Sequence, residues 1–404
     1  MRPLRLALNH TRLDRTGGVE GYLWNLLHHL LARGHSIDLF AGKFLAEISH
    51  PNLRIIRVPY LRSPRPIRVA SFASWSAKAI ARQEQIRPYD VVQGFSRTYY
   101  HTLYRDGAGC RADYCEHYLD RWARLGLRKL FYRLNPVDWI VRRIERKRYV
   151  ERPQKRVIAI SSFVRNQILT RYPSVQPESV RVVYSGVDCD LFHPRHREAG
   201  QGRISLLFGG PQPQDTVRTL LFVGNDYHRK GLDLVLEALS SRRSARTGNV
   251  DARLVVIGQD ARAPEYERKA ASLGLSRCVR FLGKRSDVPE LMAGADALLL
   301  PSYFDPYANV SSEAMASGTP VIASSTSGAA ELIRPCHGWV LKQNDAASLR
   351  IAIDAFLSVR DLSPLREAAR KTAMDLSWDR HYEEIEGIYA EVAEMNAHER
   401  ELVR

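Results

Sequence analysis

Asp305 and Glu313 stand eight residues apart within the stretch from Ser302 to Ala323, which closes on Gly318-Thr319-Pro320 and a β-branched run. This pattern predicts a strand-end loop, a helix, a tight turn and a new strand. Asp305 then lies just before the helix N-terminus, where free backbone N–H groups around Ala308, Asn309 and Val310 can hold an anion. Glu313 falls about two turns inside, on one face. The arrangement suits a sugar joined to a diphosphate: one carboxylate for sugar hydroxyls, amides for phosphate, and a second carboxylate for a ribose diol. An acidic residue at that position is also a common helix cap, so the pattern needs support from elsewhere.

Support comes from Arg229-Lys230, two adjacent cations that follow the apolar segment ending at Phe222-Val223-Gly224 and precede Gly231-Leu232-Asp233. An arginine can fork onto two phosphate oxygens and a lysine can act as a point charge, so the pair is able to clamp a departing diphosphate. Gly17-Gly18 comes after the first apolar run and just before an amphipathic helix, where the backbone can approach a ligand closely. Asp188-Cys189-Asp190 fits a D-x-D metal pattern literally. No Ser-His-Asp, H-E-x-x-H or G-x4-G-K-[ST] arrangement is evident, which removes triad hydrolases, zincins and P-loop proteins.

These residues need rigid elements behind them. The 404-residue chain exceeds what one core usually supports, so two domains of roughly 180 residues each are expected. Strands are predicted at Arg5–Asn9, Ser36–Ala41, Asp90–Gln93, Arg156–Ile160 and Val180–Tyr184, with helices at Val19–Arg33, Arg68–Gln85 and Ser161–Tyr172 between them. A second alternation runs through Leu220–Gly224, Ala252–Gly258, Cys278–Leu282 and Ala297–Leu300, with helices at Lys230–Ser240, Pro264–Leu273 and Val288–Ala293. This is the α/β pattern of parallel, doubly wound sheets, with a ligand at the carboxyl ends of the strands. The expected division is 1–188 as the first domain, 189–217 as a Pro/Gly-rich linker, 218–375 as the second domain, and 376–404 as a C-terminal helix.

In order and spacing, Gly17-Gly18, Ser185-Gly186-Val187-Asp188, Arg229-Lys230, Gly283, Asp305-x7-Glu313 and Gly328-Ala329-Ala330-Glu331 resemble the retaining GT-B glycosyltransferases of family 4. Asp305 stands where most members have Glu. The resemblance spans nearly the whole chain and implies two Rossmann-like domains facing a central cleft, with the C-terminal helix crossing back to the first. It also implies roles. Gly17, Gly18 and the Ala308–Val310 amides hold the donor diphosphate, Arg229 and Lys230 stabilise its departure, Asp305 orients the sugar and Glu313 binds the ribose. The segments Val255–Gly258 and Phe281–Arg285 line the base, bringing in Gly258 and Arg285. Asp106 is the expected sugar contact from the first domain, with His101 and His117 as alternatives. Asp188-Cys189-Asp190 falls in a junction segment of the family and is expected to be structural, so no metal is called for.

Within the family, the Arg-Lys-Gly-Leu-Asp phrase, Phe304–Val310 and the basic region look most like the lipopolysaccharide core glucosyltransferases. That likeness implies transfer of glucose from UDP-glucose to an inner-core heptose or a related glycolipid, with no cofactor beyond the donor. Two alternatives are a GT-B nucleotide-sugar epimerase and a non-catalytic nucleic-acid binder. The first lacks the Arg-Lys plus D-x7-E combination, and the second should show a recognised module or repeated stacking aromatics.

Charge adds a location. Of the formal net charge of +16, ten positive charges lie between Arg121 and Arg156, where thirteen Lys or Arg face only Asp138, Glu145 and Glu151. With Trp139 and other apolar residues interleaved, the segment suits an anionic membrane surface, and no nucleic acid is expected. Five scattered cysteines, odd in number, argue for free thiols. A short apolar N-terminus and the absence of a long apolar run predict a cytoplasmic protein, peripheral at the inner face of the inner membrane.

Overall fold

The computed structural model describes residues 2–15, 17–119, 134–151, 154–210, 217–242 and 252–402. They form two compact units, one of Met1–Ser185 with Asp379–Arg404 and one of Gly186–Trp378. Residues 121–133 of the basic region lie outside the described residues.

The first unit is built on strands β1 (Arg5–Asn9), β2 (Ser36–Ala41), β3 (Leu53–Arg57), β4 (Val91–Gly94), β5 (Leu103–Asp106), β6 (Arg156–Ala159) and β7 (Val180–Val182). Their order is β3-β2-β1-β4-β5-β6-β7, with every pairing parallel. Parallel strands covered on both faces carry apolar residues at consecutive positions, which is why Leu6, Ala7 and Leu8 are all buried. The helix Trp378–Leu402 turns Ile385, Tyr389 and Val392 inward. Polar contacts fix it to the sheet: Tyr389 donates its hydroxyl to Gln93, and Asn396 donates its amide to the Asp90 carbonyl at 2.7 Å.

The second unit contains β8 (Arg218–Val223), β9 (Ala252–Ile257), β10 (Val279–Phe281), β11 (Ala297–Leu300), β12 (Val321–Ser324) and β13 (Gly338–Leu341). They order as β10-β9-β8-β11-β12-β13, again all parallel. The strand order reverses direction between β8 and β11, and such a switch point opens a crevice at the carboxyl ends.

Two expectations are corrected here. The stretch 189–217 is not a bare linker, because Arg197–Leu207 is a helix of the second unit. Gly200 serves packing: a Cβ there would come within 1.9 Å of the Glu290 carbonyl oxygen on the helix Val288–Gly294. Asp106, the expected sugar contact, is the last residue of β5, and its side chain is spoken for within its own turn.

Candidate functional site

Arg229 and Lys230 sit in the turn after β8, and Asp305 in the loop after β11, so the chain brings them together at the switch point of the second sheet. Two backbone contacts join the segments. The Tyr303 N–H donates to the Arg229 carbonyl at 2.8 Å, and Gly231, at φ +79°, lies so close to Pro301 that a Cβ would meet its carbonyl oxygen at 2.1 Å. Only glycine combines that left-handed backbone with that approach. The loop is tied on its other side too, since the Asp305 N–H donates to the Thr326 carbonyl at 3.0 Å and the Asp305 carbonyl accepts from Gly328 at 2.9 Å.

The charges then converge. Lys230 Nζ is ion-paired with Asp305 Oδ2, and Arg229 Nη1 lies 3.4 Å from the same oxygen while donating to the Phe304 carbonyl at 3.1 Å. Burial works to raise the Asp305 carboxyl, but Lys230, Arg229 and the Tyr307 N–H outweigh it, and its pKa falls below the ordinary aspartate value. Asp305 is therefore an ionised acceptor with fixed orientation, suited to hydroxyl groups.

The helix Asn309–Ala316 starts from Ala308 with no side-chain cap. The first-turn N–H groups of Asn309 and Val310 have no hydrogen-bond partner among the described residues. They point out of the helix end, where the dipole favours negative charge. Inside the same helix, Glu313 is half-buried and its carboxylate has no hydrogen-bond partner among the described residues. Burial pushes its pKa up to about 7, with Lys230 pulling the other way.

The remaining expected residues divide. Gly258 follows β9, where the Gly224 and Gly258 backbones meet closely, and the Gly258 N–H donates to the Gly283 carbonyl at 2.9 Å. Arg285 is exposed and forked onto Asp287 at 2.8 and 2.7 Å, so its guanidinium is engaged within its own loop. Gly17 and Gly18 belong to the first unit, at the N-terminus of the helix Gly18–Ala32. Asp188 Oδ1 accepts from the N–H groups of Asp190 and Leu191 at 3.0 and 2.8 Å, an Asx turn.

Asp106 does not have the geometry of a sugar ligand. It is buried, Oδ1 accepts from Ala108 and Gly109 N–H at 3.0 and 2.9 Å, and Oδ2 accepts from the Tyr149 hydroxyl at 2.7 Å. These bonds make it the clamp of its own turn. His101 is buried and held neutral, its pKa pushed well down by burial and then by Arg148. His117 bonds the Asp113 carbonyl at 2.9 Å.

Part of the basic segment is described, and it too splits. The helix Pro136–Arg146 buries Val137, Val141 and Ile144 and exposes Trp139, Arg142, Arg143 and Arg146. Arg148 departs from this face: it is buried, with its guanidinium 3.4 Å from the Tyr104 ring centroid and a bond to the Ser96 carbonyl at 3.2 Å.

Sequence reasoning missed the supports of the site. Asp226, at φ +60°, accepts from Arg229 Nε at 3.2 Å and thereby aims the guanidinium. Asn344 and Thr326 both donate to the Ser302 carbonyl, at 2.9 and 2.6 Å, bracing the loop that carries Asp305. Asp226 three residues before Arg229 was the one available signal. Asn344 offered none.

Comparison with known proteins follows this geometry. Residues 208–375 match the model described as "Glycosyl transferases group 1", and residues 16–191 match "Glycosyltransferase Family 4". The chain is 27% identical to an MMP alpha-(1->4)-mannosyltransferase of Mycolicibacterium hassiacum, over 93% of this chain and 95% of that protein. It is 25% identical to the lipopolysaccharide glucosyltransferase WaaG of Escherichia coli, over 93% of this chain and 92% of that one. A crystal structure of WaaG superposes with a TM-score of 0.71 at 25% identity, covering 97% of this chain and 98% of the other. A sucrose-phosphate synthase from Thermosynechococcus elongatus shares the fold, with a TM-score of 0.72 at 19% identity over 96% and 99% of the two chains.

Proposed function

We propose, starting from a chain that belongs to the group 1 and family 4 glycosyltransferases, that it moves a hexose with retention from a nucleoside diphosphate sugar to a glycolipid of the lipopolysaccharide-core kind. Glucose from UDP-glucose is the proposed donor, in keeping with the likeness to WaaG. One observation carries the reading: Arg229 and Lys230 converge on the ionised Asp305 at a sheet switch point, just before a helix that starts with the open amides of Asn309 and Val310.

In this reading Asp305 accepts from sugar hydroxyls and fixes the anomeric carbon in place. The diphosphate lies against the first-turn amides and the two cations, which gain most as negative charge builds on the leaving oxygen. Glu313 accepts from the ribose hydroxyls. Gly17 and Gly18 supply a further backbone contact to the phosphates. With both site carboxylates assigned to binding, the acceptor hydroxyl attacks from the face the diphosphate leaves, and a departing phosphate oxygen takes its proton. The C–O bond to phosphate breaks as the new glycosidic bond forms on the same side.

Trp139 with Arg142, Arg143 and Arg146 supports a peripheral position on an anionic, cytoplasmic-facing bilayer, where such an acceptor resides. Among the described residues no helix is long and apolar enough to cross a membrane. Incubation with a panel of radiolabelled nucleotide sugars, with and without delipidated core glycolipid, tests the function. Label in the glycolipid from one donor is the expected result; an epimerised nucleotide sugar, or no turnover of any donor, would overturn it.

A further inference from the structure

The first unit has its own switch point, between β1 and β4, and a cavity of about 610 Å3 opens there. Its walls come from the segments after β1, β2, β3 and β4 and from the helix Arg65–Ile86. This is the carboxyl edge of a parallel sheet, where open α/β folds bind ligands, and the volume lies in the small-ligand range.

The lining is strongly cationic. Arg12, Lys43, Arg62, Arg65, Arg68 and Arg97 all face the cavity, and Glu20 is the carboxylate among its lining residues. Glu20 is already engaged, accepting from Arg12 at 2.7 Å. Arg97 is half-buried and has no ion-pair or hydrogen-bond partner for its guanidinium among the described residues, while burial and the neighbouring cations Arg111 and Arg65 work against its charge. Lys43, Arg62, Arg65 and Arg68 likewise have no acidic partner among the described residues. At the cavity wall the buried Ser96 hydroxyl has no hydrogen-bond partner among the described residues. Like charges drawn together this closely repel, and a neutral sugar leaves that repulsion uncompensated. Phosphate or carboxylate oxygens relieve it, and each arginine fork can accept two of them.

We propose that this cavity is the acceptor pocket and that it selects a sugar bearing two or more phosphate or carboxylate groups. The inference rests on the transferase reading and names the acceptor class for it. Arg62, Arg65 and Arg68 are exposed, so they can be altered with little effect on folding, whereas Arg97 sits deeper and supplies the inner contact.

Titration calorimetry on the full-length chain at low salt, with glucose 1,6-bisphosphate as probe and glucose as the neutral control, tests the pocket. The bisphosphate should bind and glucose should not. Arg62→Gln/Arg65→Gln/Arg68→Gln should weaken binding at least tenfold, the corresponding triple Lys variant should retain it, and Lys230→Ala in the other unit should leave it in place. Undiminished binding in the triple Gln variant, or loss equal in Lys230→Ala, would overturn the proposal. Phosphatidylglycerol vesicles form a second arm: sedimentation that depends on these arginines, with no bisphosphate binding, assigns them to lipid headgroups and also overturns it. Turnover separates this idea from the transferase reading. Wild-type transfer by the triple Gln variant defeats the pocket and leaves the transferase; bisphosphate binding at these arginines in a chain that consumes no nucleotide sugar does the reverse.

Discussion

Lys230 Nζ is bonded to Asp305 Oδ2 across 75 residues of sequence, which joins the turn after β8 to the loop after β11 by a charge pair. Each partner has a separate task in the proposed transfer, the lysine toward phosphate and the aspartate toward sugar. In that reading the pair sets the spacing between the phosphate contact and the sugar contact. A shift in either loop misplaces both contacts at once.

Replacing Lys230 by Ala removes the proposed charge-assisted contact to the leaving group and leaves Asp305 with Arg229 as its cationic partner and the Tyr307 N–H as a donor. The expected loss is about 2–4 kcal/mol of transition-state stabilisation, roughly 30- to 1000-fold in kcat/KM. Asp305→Asn should lose activity on a similar scale, and the double variant should fall well short of the product of the two, because the residues act as a unit. Wild-type turnover by Lys230→Ala with every active donor would remove the phosphate-clamp role.

Glu313 gives the site a pH dependence. Its carboxyl is raised to about 7 by burial, so it is protonated below neutrality and ionised above. In the proposed donor mode the ionised form accepts two ribose hydroxyls through charge-assisted bonds, whereas the protonated form gives up part of that capacity. Donor KM should therefore fall as pH rises from 6 to 8, by about tenfold if one charged hydrogen bond is gained. Asp305, shifted below its ordinary value, stays ionised throughout and adds no slope. Glu313→Gln should flatten the donor-KM profile, and a slope that persists in that variant would place the titrating group elsewhere.

Gly231 carries the joint between the two loops. Alanine there adopts a left-handed backbone at a cost of about 1–2 kcal/mol and drives its methyl into the Pro301 carbonyl, 2.1 Å from the ideal Cβ position. Thermal denaturation of Gly231→Ala should show a fall of at least about 4 °C. Donor affinity should drop with it, because Arg229 and Lys230 move with the turn. A variant that melts and binds donor like the wild type would show that the joint is dispensable.

Chelation tests how the leaving charge is neutralised. In the proposed mechanism Arg229, Lys230 and the Asn309 and Val310 amides together supply what a divalent ion provides in other transferases. Activity should survive EDTA without loss. Complete inactivation, reversed by Mg2+ or Mn2+, would reopen Asp188 and Asp190 as ligands.

Much of this architecture is legible in the chain because buried parallel strands write long apolar runs. Leu220-Leu221-Phe222 and Ala297 to Leu300 could be placed from composition alone, and the Asp305 loop and its helix followed from the turn residues around them. Other features depend on partners distant in sequence. Gly200 resembles a linker glycine until the helix Val288–Gly294 is seen against it, and Arg148 belongs with its exposed neighbours until the Tyr104 ring is placed beneath it. Asp106 illustrates the same limit. Its type and position suited a sugar ligand, but Tyr149 and two loop amides take its oxygens.

The burial of Arg148 sharpens the membrane prediction. On the helix Pro136–Arg146, Trp139 is 66% exposed and shares the solvent face with Arg142, Arg143 and Arg146. A tryptophan beside cations suits an anionic interface, each nearby charge adding about 1 kcal/mol before screening. Changing these three arginines to Gln should cost most of the pelleting with phosphatidylglycerol vesicles, and added salt should weaken the wild-type interaction in the same direction. Arg148→Gln should behave differently, since it removes a buried cation from Tyr104 and the Ser96 carbonyl. That variant should lower the melting temperature and leave the lipid-facing charges in place. Sedimentation with neutral and anionic vesicles, alongside thermal melts, separates the two effects. Equal pelleting with both lipids, or full retention by the triple Gln variant, would end the membrane assignment for this helix.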